Sequence, residues 1–432
     1  MTKNISILLT GIATSFFFFP FQFKFFPIGN TKIIMALVGI VFVALQMMKH
    51  RSLDISTDFL KICIWAIAFS SICLHSVVYN NTLDYAYAPY IISMLTWFSA
   101  AYAVCYMIEW THKDINFRLL SNYLIGICVI QCLLALLIDF SLPFKSFVDS
   151  YINQDADFLT DIKRIYGIGA SVDVAGTRFA SVLVLLMAII CTDRQIQSNR
   201  VAIVIYIISF AIIATVGNMV ARTTSVGVIV ALVYLVYGSR IIRLQIRKSD
   251  LLLWKWIVGV LGVIILLTIV LYNYNEKIHD LLRFGFEGFF NWVEHGKWET
   301  KSTDHLRTMW IFPETTKTWL WGDGYFNHPT MTDADFVGSK PHNGFYMNTD
   351  IGYLRFIYYC GLPGLLVFCF FLFYMAVLCY RKYRTERMVF VFLFLLQLMI
   401  FGKVATDLFL VYAYFFAANI QQKWRSFKSP EV

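Results

Sequence analysis

SKPHNGFYMNTDIGYLRFIYYCGLPGLLVFCFFLFYMAVLCYRK occupies residues 339–382. It opens as a polar loop and turns apolar near Ile351, and from there Arg355 is the one charge before Arg381. A helix of about 20 apolar residues crosses the hydrocarbon of a bilayer, so a span is expected near 350–379. A histidine and an asparagine, His342 and Asn343, stand at the edge of that span. Asp350 and Arg355 are carried onto its first turns.

The rest of the chain has the same character. Of 432 residues 59% are hydrophobic and 15% charged, with a mean hydropathy of +0.65. A soluble protein of this length cannot cover so much apolar surface, so lipid is the expected solvent. Further spans are expected near 5–23, 31–48, 59–78, 86–109, 119–140, 177–192, 201–218, 223–238, 251–272, 388–402 and 405–420, making about twelve. The run MTKNISILLTGIATSFFFF has a lysine before its apolar stretch and no small-residue cleavage site after it, so an uncleaved first span is expected.

The net charge of +9 is read as topology rather than nucleic-acid binding. With the N-terminus inside, the loops KHRSLDIST, EWTHKDINFR, TDRQIQSNR, GSRIIRLQIRKSD and RKYRTER and the tail QQKWRSFK fall on one side, and each holds at least two lysines or arginines. On the other side NNTLDYAYAP has none. Positive charge is retained in the cytoplasm, so both termini are expected there. The expected fold is an all-α polytopic integral membrane protein, one transmembrane domain over 1–432. Two long segments lie outside, 141–176 and 273–349, the second between spans nine and ten. Within the second, LLRFGFEGFFNWVEHGKW (281–298) reads as one helix lying in the membrane interface. All nine cysteines fall in apolar runs, which suggests neither a disulfide framework nor a zinc site.

Five arginines fall on the external side: Arg164, Arg178, Arg222, Arg307 and Arg355. Arg178, Arg222 and Arg355 are expected at or just inside span ends. Guanidinium is always charged and its forked donors match phosphate oxygens, so a shared anionic ligand explains the set better than five separate contacts to lipid headgroups. His342 can take a proton from a hydroxyl near neutral pH. His279, His295, His305 and His328 read as surface residues. The acidic pairs at 155–157 and in TDADF (332–336) read as solvated loops rather than a metal site. Lys403 and Asp407, four apart, read as a local ion pair.

The stretch PHNGFYMNTDIGYLRFIYYCGLPGLL resembles the bacterial O-antigen polymerase and O-antigen ligase superfamily, whose members often carry His-Asn ahead of a Gly-x-x-Gly inside the next span, here Gly361 to Gly364. RTMWIFPETTKTWLWGDGYF (Arg-x-x-Trp, then Gly322 and Gly324) and the Arg-Thr of VARTTSVGVIVAL are similar to further motifs of that superfamily. GTRFASV lacks the Pro-Asn that many ligases carry, which favours the polymerase. The resemblance implies a GT-C-like glycosyltransferase architecture in the bacterial inner membrane with its active site facing the periplasm. It implies an undecaprenyl-diphosphate-linked glycan as donor and acceptor, with no nucleotide sugar, metal or other cofactor. The implied roles are His342 as base, Asn343 orienting the base or a sugar, Asp350 as orienting group, and the five arginines as diphosphate and glycan ligands. Membrane lipids, a chain-length regulator and a flippase are the implied partners, and nucleic acid is not among them. A ligase acting on lipid A-core and a polytopic transporter or flippase are the alternatives.

Overall fold

The structure, a computed structural model, describes residues 3–27, 29–50, 56–154, 159, 164–239, 248–329 and 344–420. His342, Asn343 and both acidic pairs lie outside the described residues. The elements of the first half are α1 (Lys3–Phe18), α2 (Thr31–His50), α3 (Thr57–Tyr79), α4 (Tyr90–His112), α5 (Phe117–Phe140), α6 (Leu142–Tyr151), α7 (Val172–Thr192), α8 (Arg194–Ser198) and α9 (Arg200–Val220). Then come α10 (Thr224–Gly238), α11 (Lys248–Tyr274), α12 (Glu276–Gly285), α13 (Glu287–His295), α14 (Lys301–Thr308), α15 (Thr316–Trp321), α16 (Gly352–Lys382) and α17 (Arg387–Phe401). A 3₁₀ turn, Phe409–Ala413, runs on as helix to Ile420. Gln22–Phe23 pairs antiparallel with Ile152–Asn153, tying the first turn of chain outside α1 to the segment after α6.

Among the described residues eight helices (α2, α3, α4, α5, α7, α9, α11 and α16) are long and apolar enough to cross a membrane. The protein is therefore a helical polytopic membrane protein. Four shorter apolar helices, Lys3–Phe18, Thr224–Gly238, Arg387–Phe401 and Phe409–Ile420, stand where four more spans are expected. Polar caps begin several of the long helices: the side chains of Ser56, Asn116 and Asn199 accept the backbone N–H of Phe59, Leu119 and Val201. The centre is α7, nearly all buried and packed by α5, α9, α10 and α17. By contrast α11 buries little beyond Ile257, with Val263, Leu266 and Ile269 among its outward residues. Apolar exposure on a spanning helix is what lipid contact requires.

Helix α16 is broken at Gly361 (φ 70°, ψ 177°), ahead of Pro363. The break is where the chain between α15 and α16 crosses this helix. A Cβ on Gly361 would lie 2.4 Å from the Leu320 carbonyl oxygen, and one on Gly322 2.6 Å from that of Tyr359. Both glycines thus serve a close backbone crossing. The carbonyls released at the break find other donors, as a bilayer demands. Tyr359 O, which Pro363 cannot serve, accepts the Ser76 hydroxyl at 2.7 Å, and Tyr358 O accepts the Asp323 N–H at 2.6 Å.

Three local expectations are corrected. The 281–298 stretch is not one helix: α12 and α13 part at Phe286, because Gly285 seats against the backbone of Asn218 and Met219 and turns the chain. Leu281 and Leu282 are buried on α12, whereas Phe289, Trp292 and Val293 of α13 are exposed. The sixth expected span begins at Val172 rather than 177, so Arg178 lies nearly two turns inside α7 instead of at its end. Lys403 does not pair with Asp407, because 402–408 is not helical and the four-residue spacing brings no contact. Lys403 Nζ is bound instead to Asp173 Oδ1 at 2.9 Å and to Thr223 Oγ1 at 2.7 Å.

Candidate functional site: a cationic cluster at the helix ends

The first turn of α7, the α9–α10 connection, the start of α16 and the non-helical 402–408 stretch meet at one end of the bundle. Small residues let them close up. A Cβ on Gly176 would touch Ala221 and Thr223, and one on Gly352 the carbonyl oxygen of Val404. Gln397 holds the interruption after α17, donating to Thr406 O at 3.0 Å and accepting the Leu408 N–H at 2.5 Å. Thr406 and Thr177 share a hydrogen bond of 2.9 Å, and Lys403 is bound to Asp173 four residues earlier on α7. The Thr223 hydroxyl also donates to Asp173. Asp173, Thr223 and Lys403 thus lock three elements together.

Arg222 precedes Thr223. Its guanidinium lies 4.5 Å from the centre of the Phe284 ring on α12, pairs with Glu287 Oε2 at 2.5 Å, and donates to Ser302 Oγ at 3.1 Å. Burial pulls its pKa below the usual guanidinium range, Glu287 opposes that, and Arg164 reinforces it. Arg164 lies over the same ring at 5.6 Å. Two guanidinium groups on one phenyl ring, with Glu287 paired to Arg222 and no ion pair to Arg164 among the described residues, form a site that an added anion would stabilise.

Arg355 is packed differently. Its guanidinium lies between the rings of Phe326 and Phe345, 3.8 Å from each centre, and is 6% exposed. It donates to Phe326 O at 3.4 Å and pairs with Asp350 at 3.7 Å. Its Nε and Asp350 Oδ1 have no hydrogen-bond partner among the described residues. Burial, with repulsion from Asp173, pushes the Asp350 carboxyl up to about 6, although Arg355 and Lys403 act to lower it. The Phe326 wall is held by Asp84, whose Oδ2 accepts the N–H groups of Phe326 and Asn327, each at 2.8 Å. The Gly344 carbonyl accepts the His328 N–H at 3.0 Å. His328, expected at the surface, is half-buried.

The structure therefore brings Arg164 and Arg222 onto one ring and Arg355 and Asp350 into one pair, linked through Thr223, Asp173 and Lys403. It leaves two of the expected residues apart. Arg178 is buried deeper in the bundle over Phe19, with Asp407 as a charged neighbour. Arg307 is 67% exposed and pairs with Asp304 on its own helix at 3.4 Å. Asp84, Asp173, Phe284, Glu287 and Ser302 belong to the arrangement and are not among the residues expected from sequence. Asp173 carried the clearest sequence signal, a carboxylate just ahead of an apolar run.

No family model, curated protein or solved structure matches this chain.

Proposed function

We propose that the chain is a membrane glycosyltransferase that polymerises undecaprenyl-diphosphate-linked repeat units into an O-antigen or related surface polysaccharide. In this reading the four shorter apolar helices complete about twelve crossings. Both termini are cytoplasmic, and the arginine-bearing end faces the periplasm from the bacterial inner membrane. The observation that carries the reading is the cluster of buried and half-buried guanidinium groups at one end of an apolar bundle. In the sequence His342 and Asn343 stand three and two residues before Phe345, which packs on Arg355.

The chemistry follows from those groups. A hydroxyl oxygen of the acceptor sugar attacks the anomeric carbon of the donor glycan. The bond from that carbon to the diphosphate oxygen breaks, and undecaprenyl diphosphate leaves with the electron pair. Attack opposite the leaving group inverts the anomeric centre. His342 takes the hydroxyl proton. The arginines neutralise charge developing on the diphosphate, the role a metal ion plays in other transferases. Arg222 and Arg355 are already fixed by Glu287, Phe284, Phe326 and Phe345, so little reorganisation accompanies the step.

A ligase would use the same donor and differ in its acceptor, lipid A-core. A transporter or flippase is the reading from another class, and the interrupted helix at 402–408, with charged Lys403 and Asp407, favours it. One experiment separates the three: gel analysis of surface lipopolysaccharide from the native host with this gene deleted, beside His342→Ala. Loss of the ladder with core plus one repeat unit retained supports the polymerase. Loss of the single-unit band as well, with lipid-linked polymer accumulating, identifies the ligase. An unchanged ladder removes both.

A further inference from the structure

The end of α5, helix α6, the 164–166 stretch and α12 enclose a cavity of about 530 Å³. That is within the range of about 300–1,000 Å³ typical of small-molecule sites. It adjoins the arginine cluster through Arg164 and Phe284, which line it, and is separate from the Arg355 sandwich. Four cations face it, Lys145, Arg164, Lys277 and Arg283, with the two carboxylates Asp139 and Asp280. Ion pairs in the wall decide which charges remain for a ligand. Lys277 is held by Asp139 at 3.0 Å, and Arg283 by Glu294 at 2.7 Å. Arg164 makes no side-chain hydrogen bond or ion pair among the described residues, and it lies 5.6 Å from the centre of the Phe284 ring.

The cavity thus offers a guanidinium whose donor fork has no partner among the described residues, an aromatic face, and carboxylates able to accept hydrogen bonds from hydroxyls. A phosphate headgroup would gain from the cations but would leave the Phe284 face and the hydrogen-bond-accepting carboxylates Asp139 and Asp280 unused. A sugar uses all three features, since each hydroxyl both donates and accepts and the ring's C–H face packs on phenyl. An acidic sugar adds a carboxylate that matches Arg164 two oxygens at a time.

We propose that this cavity binds a saccharide unit bearing a carboxylate, with Arg164 holding that group and Phe284 the sugar face. The inference deepens the glycosyltransferase reading and rests on it for one consequence: the repeat unit this protein polymerises contains an acidic sugar.

The test is calorimetric titration of the full chain in phosphatidylcholine nanodiscs with three probes, a galacturonic acid trisaccharide, its carboxyl-reduced counterpart, and inorganic phosphate. The acidic trisaccharide should bind at least about tenfold more tightly than the reduced one. Arg164→Gln should erase that preference, and Phe284→Leu should weaken both saccharides alike. Equal affinity for the two in the unaltered protein overturns the proposal, and that comparison needs no variant to fold. A preference that survives Arg164→Gln overturns it too, as does phosphate binding with neither saccharide binding. Turnover is not measured, so an acid preference without any polymer on the gel would sink the polymerase reading alone. Polymer without an acid preference would sink this inference alone.

Discussion

Replacing Arg355 by Gln should cause Asp350 to take up a proton at pH 7. With its pKa pushed up to about 6, Asp350 in the unaltered protein is ionised at pH 7 by a margin of one pH unit, or about 1.4 kcal/mol. The partner that sustains this is Arg355 at 3.7 Å. At an effective dielectric near 20 such a pair is worth about 4 kcal/mol. The Asp350 side chain is 25% exposed, so solvent screening reduces that value. Even half of it, about 2 kcal/mol, exceeds the margin. Lys403, already engaged by Asp173 and Thr223, cannot replace the lost charge. Infrared difference spectroscopy of the protein in nanodiscs checks this. Arg355→Gln should show a protonated-carboxyl band at pH 7 that the unaltered protein lacks, and Arg355→Gln with Asp350→Asn should lose it. If Arg355→Gln shows no such band while remaining folded, the pairing of Asp350 with Arg355 is not what keeps the carboxylate charged.

The same carboxyl sets the sign of a pH effect on stability. Its folded pKa is raised, so it favours the fold below the ordinary aspartate range, and that contribution is lost as pH rises through about 6. Asp350→Asn should therefore melt higher than the unaltered protein above pH 6, and the difference should vanish below about pH 4. Ser76→Ala leaves the Tyr359 carbonyl at the Gly361 break without its donor, so thermal unfolding in detergent should show a loss of about 1–3 kcal/mol. Arg307→Gln should leave polymer formation within about threefold of normal, because an exposed charge paired on its own helix contributes little. Arg222→Gln, which strands the half-buried Glu287, should reduce polymer formation about a hundredfold or more, a rise of about 2.7 kcal/mol in the barrier.

What the sequence made legible is what depends on local pattern. Apolar runs of the right length located all eight long helices, because lipid imposes one rule along the whole chain. The start of α7 was misplaced by five residues because VDVAG carries a charge, and the carboxylate that reads as loop is in the folded protein a partner for Lys403. The break in the 281–298 stretch is not legible in sequence, because it answers to the distant backbone of Asn218 and Met219 rather than to anything in its own periodicity. The arginines stood out as charges near span ends, but their partners did not. Asp84 supports the Phe326 wall from 242 residues away, and Ser302 meets Arg222 across 80. No spacing rule reaches across such distances. Arg178 and Arg307 looked like the other arginines in sequence, and only the packing of α7 and the outward side of α14 set them apart.

The most direct test of the central claim is reconstitution. The purified chain in nanodiscs would be given one synthetic undecaprenyl-diphosphate-linked repeat unit as its only substrate, while glycan length and released undecaprenyl diphosphate are measured together. The account predicts that the glycan lengthens, that one carrier is released for each unit added, and that both stop in His342→Ala. A folded, monodisperse preparation that neither lengthens the glycan nor releases the carrier would contradict it.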